Sequence, residues 1–127
     1  GTTWARHTIG SLTPLHAVWG SGRNNVIAAG DHGLYHYGGT GTSWRPINSG
    51  PLSGYQALWG RAGSTDGDTV LYAAGAGGTI ARSPNNGQSW ATTLERLGPS
   101  FTALWGDGAR LYVGGAQGAI LSHELPP

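Results

Sequence analysis

The sequence LHAVWG at residues 15–20 returns as YQALWG at 55–60 and as FTALWG at 101–106. Each copy is followed by an apolar stretch that ends in glycine, at Gly30, Gly75 and Gly115, and then by a second short apolar run. Self-similarity at a near-constant period is the sequence signature of a repeat architecture. The chain therefore consists of one structural unit used three times.

The tryptophans give the register of the repeat. The chain has 6 tryptophans and all of them occupy repeat positions, in pairs that are 15 residues apart: Trp4 and Trp19, Trp44 and Trp59, Trp90 and Trp105. The period is 40 residues between the first two copies and 46 between the next two. An insertion at residues 64–68 accounts for most of the longer period.

The apolar runs predict strands. They are four to six residues long, which is too short for a stable helix, and they are bounded by Gly, Asn, Asp and Ser. In the first copy the strands are expected near 14–19, 25–29, 34–37 and 43–48. Four short strands per unit of this length are typical of a β-propeller blade. The prediction is an all-β chain of three four-stranded antiparallel blades at about 9–48, 49–94 and 95–127, with an N-terminal closing strand at 1–8.

Three blades are too few to close a propeller, which usually has about four to eight. An open array would leave apolar blade faces and unpaired strand edges in water. We therefore expect self-association as a homodimer, in which two chains form a six-bladed ring and each N-terminal strand completes the last blade of the other chain. The alternative is that these residues belong to a longer propeller.

Composition narrows the classes of partner. Charged residues make up 10% of the chain and the net charge is +1, so no dense basic patch exists for nucleic acid. No apolar run is long enough to span a bilayer, so membrane insertion is not expected. The absence of cysteine excludes disulfides and thiolate metal sites. All 7 basic residues are arginine, which is typical of a GC-rich bacterial genome. The compartment stays open, with secretion or a bacterial cell surface as the hypothesis.

Residues 83–90, SPNNGQSW, carry a family resemblance. They resemble the Asp-box, Ser-X-Asp-X-Gly-X-Thr-Trp, of sialidase-type blades, with Asn85 in the place of Asp. The copy at 37–44 keeps Gly41, Ser43 and Trp44. The whole unit is similar to bacterial BNR-like propellers and to photosystem II assembly-factor propellers. The resemblance implies a structural turn whose amide caps backbone N–H groups and whose Trp packs into the blade.

Catalytic and metal-binding interpretations are weaker. A sialidase, as the resemblance implies, needs three arginines, a Tyr–Glu pair and an acid/base Asp, and no matching arrangement is present. The two glutamates are Glu95 and Glu124. His32, His36 and Asp31 are close in the sequence and could bind a metal, but solvated histidines are the favoured interpretation. The polar loop at 64–68 lacks the full ligand set of a calcium loop. We predict no catalytic residue, metal or cofactor.

Candidate ligand-binding residues come from two patterns. Trp19, Trp59 and Trp105 follow the first strand of each unit and offer aromatic faces to sugars, although packing is the commoner role of a repeated Trp. Positions that differ between copies mark exposed surface, and they include His16, Gln56, His36 and Arg82. The preferred hypothesis is a non-enzymatic, lectin-like binding module for glycans. A protein-interaction or assembly scaffold is the alternative, and a degenerate sialidase-like glycosidase is the least favoured.

Overall fold

The computed structural model describes residues 3–9, 14–47, 54–62, 69–95, 100–118 and 120–125. These residues form an all-β structure of three antiparallel sheets, one for each copy of the repeat. The predicted all-β class is therefore confirmed. The polar loop at 64–68 lies outside the described residues.

Each sheet is built in chain order. The first sheet contains β1 (Leu15–Gly22), β2 (Asn25–Gly30), β3 (Gly33–Tyr37) and β4 (Arg45–Pro46). The second contains β5 (Tyr55–Ala62), β6 (Thr69–Gly75), β7 (Thr79–Ser83) and β8 (Ala91–Glu95). The third contains β9 (Phe101–Gly106), β10 (Arg110–Gly115) and β11 (Ile120–Glu124).

Within the described residues, which end here at residue 47, the fourth strand of the first sheet is shorter than the predicted 43–48. β4 pairs with β3 only through Arg45 and Pro46, opposite His36 and Tyr35. Proline has no backbone N–H to donate to a ladder, so it is tolerated at the edge of a sheet and limits pairing there. The N–H of Ile47 still donates to the carbonyl of Leu34 at 3.0 Å, which holds the chain against β3 beyond the proline.

The first strand of each sheet contacts the first strand of its neighbour, β1 against β5 and β5 against β9. The three sheets therefore stack face to face with their first strands innermost. Each innermost strand carries an irregularity at the same place. In β1 the ladder shifts between Leu15 and Ala17, and in β5 it shifts between Tyr55 and Ala57. In the third sheet Phe101 pairs with Gly115 and Ala103 with Gly114. Such a bulge leaves one residue outside the regular pairing.

Two apolar clusters fill the spaces between the sheets. Ile27 and Ala29 of the first sheet pack with Leu58 and Leu71 of the second. The other cluster joins the second and third sheets and contains Val70, Tyr72, Ala74, Ile80, Phe101, Leu111, Val113 and Leu125. β6 is buried along its whole length because it has a sheet on each side. Burial of these side chains is the main contribution that holds the stack together.

A tryptophan lies on a glycine at each of these two interfaces. A Cβ atom added to Gly60 would lie 2.7 Å from Cζ2 of Trp19, and one added to Gly106 would lie 2.6 Å from Cζ2 of Trp59. Carbon atoms in contact are normally about 3.5–4.0 Å apart, so each ring occupies the space that a side chain would fill. Only glycine allows the sheets to approach this closely here.

The N-terminal segment lies beside the first sheet. Thr8 forms a parallel bridge with Ser43, with hydrogen bonds of 2.9 Å to the carbonyl of Thr42 and 3.0 Å from the N–H of Trp44. Trp4 is fully exposed. Of the predicted closing strand at 1–8, the described residues 3–8 bridge to the first sheet and have no strand pairing with the described part of the third sheet. Its pairing with a second chain stays a prediction.

Among the described residues, the helical content is limited to two single turns, at Ala76–Gly78 and Ala116–Gly118. No helix there is long and apolar enough to cross a membrane.

We expect Gly60→Ala to lower the free energy of unfolding by about 1–3 kcal/mol, because overpacking a filled interface forces neighbouring atoms to move. Urea denaturation followed by circular dichroism measures the change. Gly22→Ala is the matched control in β1, since a Cβ there meets no atom within 4 Å, and its effect should stay within about 0.5 kcal/mol. Equal effects of the two substitutions would contradict the role given to Gly60.

Candidate ligand-binding site

A polar cleft opens between the first and second sheets, with a volume of about 620 Å³. Ligand pockets in proteins commonly measure about 300–1,000 Å³, so this volume suits a small ligand. One aromatic side chain, an alanine methyl and several hydrogen-bonding groups surround it. The described residues that line the cleft are Trp19, Ser21, Asn24, Asn25, His36, Ala62, Thr69 and Asn86.

Two asparagines join the walls of this inter-sheet cleft. Nδ2 of Asn25 donates to Oδ1 of Asn86 at 3.1 Å, and Nδ2 of Asn86 donates to Oδ1 of Asn25 at 3.0 Å. Nδ2 of Asn25 also donates to Oγ of Ser21 at 2.9 Å. An amide offers two donors and an acceptor with two lone pairs. Asn25 uses all of these within the network, because its oxygen also faces His36, whereas Asn86 keeps one donor and one lone pair.

His36 extends this network from β3. Its Nε2 lies 2.9 Å from Oδ1 of Asn25. Because that oxygen is an acceptor in this arrangement, Nε2 carries the hydrogen and Nδ1 is an acceptor in the neutral ring. The pKa of His36 is lowered, first by burial and second by the positive charge of Arg45. The cleft therefore presents a neutral imidazole at neutral pH.

The position of Asn86 is set by the turn between β7 and β8. Oγ of Ser83 accepts the N–H of Gly87 at 2.8 Å, and Oδ1 of Asn85 accepts the N–H of Ser89 at 2.9 Å. Asn86 has φ 59°, a left-handed conformation that asparagine adopts more readily than most side chains. The amide of Asn85 thus caps the backbone N–H of Ser89, and the turn presents Asn86 to the first sheet.

Trp90 links this turn to the apolar core. Its Nε1–H donates to the carbonyl of Gly87 at 3.2 Å, and its ring packs against the cluster between the first two sheets. The turn is therefore tied to the core, which gives the Asn86 amide a fixed place.

A smaller cleft of about 340 Å³ shares two residues with the first. His36 and Asn86 line both, and Arg45 adds a cation to the smaller one. Pro46, Ile47, Gly87 and Gln88 complete its described lining. His36 and Asn86 are therefore accessible from both clefts.

The structure brings two of the predicted binding residues together, Trp19 and His36. The other two tryptophans are elsewhere. Trp59 packs on Gly106 at the next interface, and Trp105 is 59% exposed beside Tyr112 on the third sheet. Nε of Arg82 donates to the hydroxyl of Tyr72 at 3.2 Å, between the second and third sheets. No finding tests these assignments, so each stays a prediction.

His16 and Gln56 occupy the bulges of β1 and β5. His16 is exposed and its Nε2 lies 2.7 Å from Oδ1 of Asp31, whereas Gln56 is half-buried. Thr102 has the same place in the third sheet and is exposed. Three positions that vary between copies therefore share one structural role on the innermost strands.

Asn25 and Asn86 are the hydrogen-bonded pair among the six described cleft residues that the sequence patterns missed. Asn25 corresponds to Val70 in the second copy and Arg110 in the third, when the glycines that end β2, β6 and β10 are aligned. The variation between copies that marked His16 and Gln56 is therefore present at Asn25 too. Asn86 belongs to the Asp-box-like segment at 83–90, in which the resemblance assigns the capping role to its neighbour Asn85.

Acidic side chains in the described part of the chain have other partners. Asp31 contacts His16, and Glu124 accepts from Nη2 of Arg110 at 3.1 Å. Across the described ranges, no three His, Cys, Asp or Glu side chains lie close enough together to hold a metal ion. His36 binds the Asn25 amide and is not grouped with His32 and Asp31.

No protein-family model matches the chain, and no curated protein is found to be similar to it. The assignment of a function therefore depends on the geometry of the cleft and of the sheets.

The lowered pKa of His36 predicts a pH dependence. The unfolded chain, with an ordinary histidine pKa near 6.5, takes up a proton more readily than the folded chain. The stability is then complete above that value and falls as the pH drops through it toward the lowered pKa. We expect the urea midpoint to fall between about pH 7.5 and about pH 5.5, and to fall less in His36→Gln.

The readout is the difference between the urea midpoints of the two proteins at each pH, which isolates the contribution of His36. The chemical shift of the His36 ring in an NMR titration gives an independent value. A midpoint above the ordinary histidine pKa would contradict the burial given to this ring.

Proposed function

We propose that this chain is a non-enzymatic binding module that recognises glycans in the inter-sheet cleft. The observation that carries the proposal is the joining of Trp19, the Asn25–Asn86 amide pair and His36 around one opening. An indole face carries negative charge density that attracts the C–H groups of a sugar ring. The Asn86 amide keeps one donor and one lone pair for sugar hydroxyl groups, and Nδ1 of the neutral His36 ring can accept from a hydroxyl.

The electrostatics of the inter-sheet cleft favour a neutral ligand. Its described lining contains no Asp, Glu, Lys or Arg, and burial together with Arg45 lowers the pKa of His36. A charged ligand loses its hydration on entry and needs an opposite charge in return, whereas sugar hydroxyls need only hydrogen-bond partners. Neutral pyranose rings fit this chemistry better than phosphate or carboxylate groups.

A non-enzymatic role is supported by the same lining. Hydrolysis of a glycosidic bond generally uses two carboxyl groups on either side of the bond, about 5–10 Å apart. The described side chains around the inter-sheet cleft include no carboxyl group. The sialidase-like alternative therefore finds no support there.

We also propose that the three sheets are propeller blades and that two chains form a six-bladed ring. The third sheet has three strands in the described residues and the others have four. The N-terminal segment supports the idea by its position. Nδ1 of His7 accepts the Nε1–H of Trp44 at 2.9 Å, so the segment contacts the Trp before the last strand of the first sheet. One unit further along, Ile47 after β4 lies beside Gly87, in the turn before the equivalent Trp90 of the second sheet. The segment thus lies where the outer strand of a preceding blade would lie.

An assembly scaffold is the second candidate function. The observation that favours it is the set of exposed apolar side chains on the outer sheets, which include Val18 and Ile120 and would lie between the copies of an assembly. Exposed apolar surface on a soluble protein commonly marks a protein contact. With glycan binding we also propose the compartment, which is the bacterial cell surface or the medium after secretion.

Binding to a glycan array tests the proposal. We expect a defined set of neutral sugars to bind, and Asn25→Ala to weaken the best of them by about tenfold, the effect of losing roughly 1.4 kcal/mol. Trp19→Ala should weaken it at least as much. Thr92→Ala is the matched control, because this exposed β8 residue is outside the cleft.

Circular dichroism and a urea midpoint show that each variant is folded, which matters most for Trp19 because its ring also packs on Gly60. The absence of binding to any sugar by the folded wild-type protein would overturn glycan recognition and favour the scaffold. Turnover of a fluorogenic sialoside would overturn the non-enzymatic assignment.

A further inference from the structure

The largest exposed apolar side chains on the sheets lie at the two ends of the stack. Leu15 and Val18 are exposed on the first sheet, by 46% and 67%. Trp105, Tyr112 and Ile120 are exposed on the third sheet, by 59%, 39% and 76%. Scattered exposed apolar residues need no explanation, but these five have a common property that the repeat reveals.

The two exposed residues of the first sheet correspond to interface residues in the other sheets. The repeat aligns Leu15 with Tyr55 and Phe101, which are 0% and 3% exposed. Val18 aligns with Leu58 and Leu104, which belong to the two clusters between sheets. On the second and third sheets these side chains therefore meet the preceding sheet.

The three exposed residues of the third sheet correspond to side chains that meet the following sheet. Ile120 aligns with Leu34 and Ile80, which are 1% and 3% exposed. Tyr112 aligns with Ile27 and Tyr72, and both are buried. Trp105 aligns with Trp19 and Trp59, whose rings lie on Gly60 and Gly106.

The glycine that would receive Trp105 is also present. Gly20 is the counterpart of Gly60 and Gly106 in the repeated sequence, and it is exposed on β1. Its φ is outside the left-handed region, so it is not required there by backbone conformation. Within the described ranges, one end of the stack thus has a tryptophan that lies on no glycine, and the other end has a glycine that receives no tryptophan.

We propose that the third sheet docks on the first sheet of a second copy of this chain, with Trp105 lying on the partner copy's glycine at position 20. The two internal interfaces are the template for this contact, because they join the same surfaces by the same residues. The occupant is therefore another copy and not an unrelated protein. The contact is head-to-tail, and two such contacts close a ring if the rotation per sheet allows it.

This inference rests on the proposed ring closure and names the contact that makes it. Sedimentation velocity of the wild-type protein between about 1 and 100 µM measures the assembly, a range in which a modest interface dissociates. We expect a dimer in the wild type. Trp105→Ala and Gly20→Ala should each raise the dissociation constant at least tenfold, and Gly22→Ala should leave it unchanged.

Trp105 is exposed, so its truncation should leave the monomer folded. A Cβ at Gly20 would lie 3.2 Å from the carbonyl oxygen of Asn25 and from Cγ2 of Val26, so β2 must adjust slightly, and circular dichroism with a urea midpoint checks that this monomer is folded. Gly20→Ala adds a single methyl and keeps the Trp105 ring, which makes it a second, independent probe of the contact. Thr92→Ala, on the second sheet and outside the two end faces, is a further control and should leave the dissociation constant unchanged.

The outcomes separate the two proposals. A wild-type protein that stays monomeric at 100 µM would overturn both the ring and the contact. Dimers that form equally well in wild type, Trp105→Ala and Gly20→Ala would overturn the contact and leave the ring standing. Larger polymers that Trp105→Ala dissolves would support the contact and overturn closure by two chains.

Discussion

A tryptophan ring lying on a glycine of the next sheet is the contact on which this structure depends. It occurs at both internal interfaces, Trp19 on Gly60 and Trp59 on Gly106, and it sets how closely neighbouring sheets approach. A large flat side chain contributes much buried area, and a position without a side chain lets the backbone receive it. The Trp–Gly pair therefore fixes the distance between neighbouring sheets and also stabilises their contact. A cluster of aliphatic residues alone would define that distance less strictly.

The candidate site follows from this spacing. Once the first two sheets are fixed against one another, the turn before β8 comes within hydrogen-bond distance of β2, and the Asn25 and Asn86 amides meet. The second interface differs at the same place, since Val70 packs there into the apolar cluster. The two interfaces are built from equivalent strands, but the first contains a polar cleft and the second an apolar contact at this place. Leu125 packs with Val70 in that cluster, and its N–H bonds to the carbonyl of Ala109 as the N–H of Asn86 bonds to that of Thr69. The residues on both facing sheets therefore decide between the cleft and the apolar contact.

Most of the framework can be predicted from the sequence because its contacts recur in every copy. The tryptophan spacing gave the number of units, and the short apolar runs gave the strands. The cleft is harder, since it depends on two asparagines 61 residues apart in different copies. The two-residue length of β4 reflects Pro46 and the edge position together. The place of the N-terminal segment beside Trp44 depends on a contact between His7 and that ring, which no repeat pattern encodes.

The bulges on the innermost strands have a consequence for how such a protein can change over time. Residues 16, 56 and 102 lie outside the regular ladder, so their side chains differ without a cost to the pairing on either side. His, Gln and Thr already occupy the three places. The inner strands therefore contain three tolerant positions inside a rigid frame, and new surface chemistry can be tried there one residue at a time while the stack keeps its geometry.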